Sequence, residues 1–267
     1  EIDLLLGLQS YINKDYKNSK KYFSRLNEIS ESNIFFEDFF GNILMSWTEA
    51  SENNQKASFE FLDKIPDRYI KLKKIQNSFL NCYFDTSKTE SAFRNIVDNK
   101  NNSFSRYNYF LVNYLISKKK NTKAKIYINK KASSYNSSLL IKQTASYINK
   151  KKDKKVNNFF DCRNHQDSVA EIFYVIANMY STQKEYQLSN FYLKISLLLN
   201  NKFIPNQTLL AENYYYQNKF DLSKKNYESI KKIGPIYFWY ASKSIAAILS
   251  KTENKEDTIS YLTEEFK

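Results

Sequence analysis

The sequence predicts an all-α protein, a right-handed α-solenoid of about eight antiparallel helix pairs. Three observations carry this: a near absence of breakers, a residue pattern returning every 34 positions, and short polar segments between apolar helical stripes. The chain has 267 residues with only three Gly and three Pro, against ordinary usages of about 7% and 5%. Turns that need positive φ should therefore be scarce, and with them β-hairpins and Gly-rich phosphate loops. Hydrophobic residues make up 42% of the chain, with 22 Tyr and 20 Phe, a composition that fills a core and excludes a disordered chain.

The repeat is clearest near the C-terminus. Ile176, Ala177, Tyr180, Tyr186, Ser189, Leu193 and Ser196 match Leu210, Ala211, Tyr214, Phe220, Ser223, Tyr227 and Ile230, each pair 34 residues apart. Pro235 closes the second of these units. A small residue in the second helix marks the pattern outward, at Ser19, Ala57, Ala92, Ala124, Ser189, Ser223 and Thr258, with Asn157 filling the remaining gap. In the first helix of a pair, Leu6-Gly7, Ile176-Ala177 and Leu210-Ala211 set a small side chain where the partner helix must approach. An aromatic (Tyr16, Tyr186, Phe220) precedes the marker by three residues and packs across the turn. Phe23, Leu193 and Tyr227 follow it by four, on the same helical face. The turns fall at Asn13-Lys14-Asp15, Thr182-Gln183-Lys184 and Gln217-Asn218-Lys219. One helix pair has too little apolar surface to stand alone, so neighbours must stack.

The segment from Asp167 to Lys267 and the first unit, Leu6-Gly7 to Leu26, resemble tetratricopeptide repeats. One array is expected over 1–267: a first repeat at 1–34, degenerate repeats over 35–165 and well-formed ones over 166–267. Around Trp47, Ala57, Phe61 and Pro66 the turn glycine and first-helix small residue are missing. The chain as a whole resembles a group of tetratricopeptide proteins of alphaproteobacteria, through Phe36-Glu37 to Trp47 and through Ala170-Glu171-Ile172-Phe173-Tyr174. That resemblance implies a superhelix with a concave groove for a protein or peptide, and it brings no assigned reaction. It also favours the bacterial periplasm over the cytoplasm, because members often begin with an export signal. Glu1 runs directly into Ile2, Leu4, Leu5 and Leu6, which reads as the middle of a helix. A fragment of a longer chain is expected, with exposed apolar surface near its ends, Phe266 included.

The chain carries 41 basic and 28 acidic residues, a net charge of +13. The joint abundance of Lys, Asn, Ile, Tyr and Phe reads as low-GC coding bias; the competing reading is attraction to nucleic acid or an anionic surface. Lys118-Lys119-Lys120, Lys150-Lys151-Lys152 and Lys154-Lys155 are expected in turns on one edge, forming a basic ridge. Cys82 and Cys162, 80 positions apart and without companions at metal-ligand spacing, read as buried small apolar residues rather than disulfide partners. His165, the single histidine, lies in the polar stretch Arg163 to Asp167 and reads as a solvent-exposed loop residue. There is no Gly-x-Ser-x-Gly elbow and no lysine in a Gly-rich nucleotide loop. No run approaches the ~18 apolar residues of a membrane span. The expectation is a binding protein without catalytic residues, cofactor or metal.

In stacked helix pairs the first helices line the concave face. The inward positions are Asn77, Asn81, Arg106, Tyr109, Asn113, Lys142, Tyr174, Asn178 and Tyr215, with Thr208 and Glu212 beside them. Asn81, Asn113 and Asn178 occupy one equivalent place, where an amide donates to and accepts from the backbone of an extended peptide. Arg106 and Lys142 suit a carboxylate. Protein or peptide is the first expected partner and nucleic acid the second. Repeat positions specify a core and leave the partner and the oligomeric state free.

Overall fold

The computed structural model describes residues 2–28, 37–98, 106–135, 137–252 and 255–265; Glu1, Phe36 and Phe266 lie outside them. The described residues form sixteen α-helices and no strand. In chain order these are α1 (Ile2–Ile12), α2 (Tyr16–Glu28), α3 (Glu37–Ser51), α4 (Gln55–Asp63), α5 (Ile70–Tyr83), α6 (Thr89–Val97), α7 (Arg106–Ser117) and α8 (Asn121–Ala132). They continue as α9 (Leu139–Asn149), α10 (Lys154–Asn157), α11 (His165–Thr182), α12 (Tyr186–Leu199), α13 (Ile204–Tyr216), α14 (Phe220–Lys231), α15 (Pro235–Thr252) and α16 (Lys255–Glu265). Helices pack on their neighbours in sequence from α1 to α6, from α8 to α10 and from α12 to α16. The chain divides into two compact units: residues 1–115 with 161–169, and residues 116–160 with 170–267.

One turn recurs at the ends of the first helices. Its central residue has positive φ, at Lys14, Asn53, Asp85, Lys119, Lys151, Lys184 and Asn218, with φ between 52° and 66°. At Lys184 the N–H bonds Ser181 O at 3.0 Å, while Glu185 N–H reaches Tyr180 O at 3.0 Å. The same pair of bonds recurs at Asn218–Lys219, Lys14–Asp15, Asn53–Asn54, Asp85–Thr86 and Lys151–Lys152. This is the Schellman closure, which satisfies carbonyls of the last helical turn and requires a left-handed residue. Few glycines had implied few such turns. Instead Lys, Asn and Asp take the left-handed conformation, because closing the pair satisfies backbone groups that would otherwise be orphaned.

The marker residues sit at a fixed distance from that turn. Ser19, Ser58, Ala124, Val156, Ser189 and Ser223 each lie five residues after the left-handed residue, and all are fully buried. Thr89, four residues after Asp85, is fully buried too. Ala57, Ala92 and Asn157, the markers read from the sequence, are only half-buried, so the register of those three units is corrected by one to three positions. Two hydrogen bonds reproduce the 34-residue period: Ser189 Oγ donates to Ala177 O at 2.7 Å, and Ser223 Oγ to Ala211 O at 2.8 Å. At Gly7 a β-carbon would lie 2.4 Å from the buried Phe23 ring, so the close approach of α1 and α2 depends on glycine there.

In the first unit, Phe79 packs its ring edge-on against Phe110 at 4.9 Å and Phe93 at 5.8 Å. Trp47 is fully buried and donates its indole N–H to Gln76 Oε1 at 2.8 Å. In the second unit, buried Asn213 joins α13 to its neighbours: it accepts from Ser181 Oγ at 2.7 Å and donates to Ser189 Oγ at 2.8 Å and Asn190 Oδ1 at 2.9 Å. The second unit also departs from a strict nearest-neighbour array. Gln143 Oε1 of α9 accepts from Ile236 N–H at the start of α15 at 3.0 Å, and the Tyr147 hydroxyl donates to Ile233 O. A β-carbon on Gly234 would collide with the Gln143 amide at 2.4 Å.

Candidate binding cleft

The nine inward positions fall into different environments. In the second unit, Tyr174 is buried with its ring edge-on to Phe203 at 5.8 Å. Lys142 is half-buried and Asn178 exposed. Tyr215 is half-buried beneath the Lys251 ammonium, 4.4 Å from its ring centre. Thr208 bonds its own helix at Ile204 O, 3.1 Å away. Glu212 accepts from the Tyr240 hydroxyl, and burial raises its carboxyl above the usual range. In the first unit, Tyr109 and Asn113 are buried within α7, and the Arg106 guanidinium lies 5.2 Å from the Tyr107 ring centre. Asn81, Asn113 and Asn178 therefore do not share one environment: two are buried and one faces solvent.

The structure brings Asn77 and Asn81 together. Both line an open cleft of about 990 Å³ formed by α4, α5 and α6, wholly within the first unit. Asn81 is held by the fold: its Nδ2 donates to Asn77 O at 2.7 Å, and its Oδ1 accepts from Thr86 Oγ1 at 2.6 Å. Thr89 Oγ1 adds a bond to Asn81 O at 2.8 Å. Asn81 thus fixes the α5–α6 turn, and the half-buried Asn77 lines the cleft beside it. Phe59, Ile70, Ile75, Ala92 and Ile96 form the apolar wall. Lys71, Lys74 and Lys88 stand exposed on the rim, and no Asp or Glu is among the lining residues. Sequence reasoning missed the lysines and Phe59. A signal existed: Lys71, Lys74, Ser78 and Asn81 recur at spacings of three and four, which is one polar stripe of a helix.

Two expectations about reactive side chains are corrected. Cys82 and Cys162 are buried as expected, but they form a disulfide with Cα atoms 5.8 Å apart. It closes the end of α5 onto the segment before α11, a tertiary juxtaposition that spacing alone cannot reveal. His165 is not a solvent-exposed loop residue. It is the first residue of α11, capped by Asn164, whose Oδ1 accepts from Gln166 N–H at 3.1 Å. Its ring is half-buried and stands edge-on to Tyr11 at 5.1 Å, Tyr16 at 6.4 Å and Tyr83 at 6.4 Å. The Tyr11 hydroxyl and His165 Nδ1 share a hydrogen bond of 2.6 Å. Burial, and secondarily the Lys14 charge, pushes the imidazole down to about 4, so the neutral ring serves as a packing and hydrogen-bonding element.

Among the described residues no three His, Cys, Asp or Glu side chains cluster as metal ligands, and no helix is long and apolar enough to cross a membrane. Cleft, disulfide and histidine cluster all belong to the first unit. No protein-family model matches the chain, and no curated protein matches it.

Proposed function

We propose that this chain is a tetratricopeptide-type scaffold whose helix pairs stack as an α-solenoid, and that it binds an extended acidic segment of a partner protein in the α4–α6 cleft. The observation that carries the reading is the cleft itself: Asn77, an apolar wall and three rim lysines without a lining carboxylate. An amide pairs with the backbone of an extended peptide, lysines attract its carboxylates and the wall takes an apolar side chain. The reading keeps Asn77 from the expected groove and shifts weight away from buried Tyr109, Asn113 and Tyr174.

The repeat assignment is supported by the two serine–carbonyl bonds spaced 34 residues apart and by the recurring Schellman turn. A binding role rather than catalysis is in keeping with a site built of amide, ammonium and apolar groups. The Cys82–Cys162 disulfide supports an oxidising compartment, where such bonds persist.

Fluorescence anisotropy tests the proposal. Labelled peptides with alternating Asp/Glu and apolar residues should bind the purified chain. A Lys71→Gln, Lys74→Gln, Lys88→Gln variant should weaken them at least tenfold without a change in melting. Equal binding by the variant, or binding of basic and acidic peptides alike, would remove the cleft as the site.

A further inference from the structure

The net charge of this chain is concentrated in one stretch. Residues 99–152 contain twelve Lys and one Arg without a single Asp or Glu, leaving 28 basic against 28 acidic residues elsewhere. In the structure, the lysines of this stretch that follow α7 lie on α8, on α9 and in the turns before α8 and after α9, in the second unit. Asn121 Nδ2 donates to Asp153 Oδ2 at 3.0 Å, and the amides of Asn129 and Asn149 bond each other at 3.1 and 3.0 Å. These contacts pin the segment from Asn149 to Asp153 beside α8. Lys150, Lys151 and Lys152 are therefore held beside α8, where Lys123 and Lys130, like Lys119 in the turn before it, are exposed as they are. Asp153 is the only acid between residues 99 and 160, and Asn121 engages it.

The patch is not purely charged. α8 buries Ala124 and Ile128 completely and turns Lys123, Ile126 and Lys130 outward at positions i, i+3 and i+7. Ile126 is 69% exposed, and Tyr135, just past the C-terminus of α8, is 97% exposed. Apolar and aromatic side chains amid lysines suit the boundary between headgroups and acyl chains. No arginine occurs between residues 107 and 162. Arginine is the side chain that forks phosphates and base edges in nucleic-acid recognition, whereas lysine point charges suffice for a diffuse layer of anionic headgroups.

We propose that the outward face of α8, with the flanking Lys119 and Lys150–Lys152 turns, docks on an anionic lipid bilayer. Ile126 and Tyr135 enter the interface while the lysines hold the headgroups, and the cleft of the first unit plays no part. Co-sedimentation of the chain with phosphatidylcholine vesicles, with and without phosphatidylglycerol, tests this. Binding should require phosphatidylglycerol and fall as salt rises. The variant K119Q/K123Q/K150Q/K151Q should lose roughly six-hundredfold in partitioning, since each of the four lysines contributes roughly fivefold at an anionic surface. Ile126→Ser should weaken vesicle binding several-fold while leaving any association with an RNA or DNA duplex unchanged. Circular dichroism should show both variants folded as the parent. Equal binding to neutral vesicles, no binding to anionic ones, or duplex binding that outcompetes the vesicles and ignores Ile126→Ser would each overturn the proposal.

Discussion

Lys184 offers a direct measure of what the inter-helix turns cost. Its φ is 66°, where the β-carbon of an L-residue crowds the following carbonyl at about 1–2 kcal/mol. Glycine takes this conformation freely, so Lys184→Gly removes that strain. Against this stands the larger conformational freedom of glycine in the unfolded chain, about 0.4–1 kcal/mol. The net expectation is a gain of roughly 0.5–1 kcal/mol, which shifts Tm upward by about 1–4 °C in a chain of this size. The side chain at 184 is exposed, so no packing is lost. Lys184→Ala keeps the β-carbon and should leave Tm unchanged. Asn218→Gly should gain less than Lys184→Gly, although its φ is 57°, because asparagine tolerates the left-handed region. Urea midpoints and thermal melts followed by circular dichroism give the comparison. A loss of about 1 kcal/mol for Lys184→Gly, as for glycine inside an ordinary helix, would refute the turn assignment.

Three further expectations follow from the packing. Gly7→Ala, which ordinarily favours a helix, should destabilise by about 1–3 kcal/mol, because the new β-carbon meets the Phe23 ring at 2.4 Å; chemical denaturation of the variant checks this. Cys162→Ser should cost roughly 4 kcal/mol by the loop-closure entropy of a bridge spanning 80 residues. Thiol titration of the unreduced, unfolded chain should find no free thiol, and two would contradict the bridge. His165 has its folded value lowered to about 4 from an unfolded value of about 6.5. The unfolded chain therefore takes the proton first, so stability is complete above pH 6.5 and declines as pH falls toward 4. His165→Asn should flatten the part of the pH–stability curve that this ring contributes, as read by urea midpoints at successive pH values.

Where sequence and structure agree, the reason is a local pattern tied to a shared core. The paired positions from Ile176 to Ser196 and Leu210 to Ile230 match in burial one for one, because each lies on a helix face that must meet the same kind of neighbour. The register slipped where two small residues adjoin: Ala57 and Ser58 are equally good markers on paper, and only the distance from Asn53 selects Ser58. The left-handed turns were hidden because the glycine that usually announces them is absent. The disulfide and the His165 cluster were illegible for a different reason. Each joins residues far apart in the chain, Cys82 with Cys162 and Tyr11 with His165, and periodicity reports only on contacts between successive helices. Half of the cleft was legible: Asn77 came from its inward position, while Lys71 and Lys88 draw their meaning from α4 and α6 closing around them.

Hydrogen–deuterium exchange of the chain with and without a bound acidic peptide tests the central claim most directly. Binding in the cleft should slow exchange in α5 and in the turn from Thr86 to Thr89, leave α13 and α14 unchanged, and lose its effect in the Lys71→Gln, Lys74→Gln, Lys88→Gln variant. Protection that fell instead on α13 and α14, or that persisted in the variant, would contradict the assignment of the cleft as the binding site.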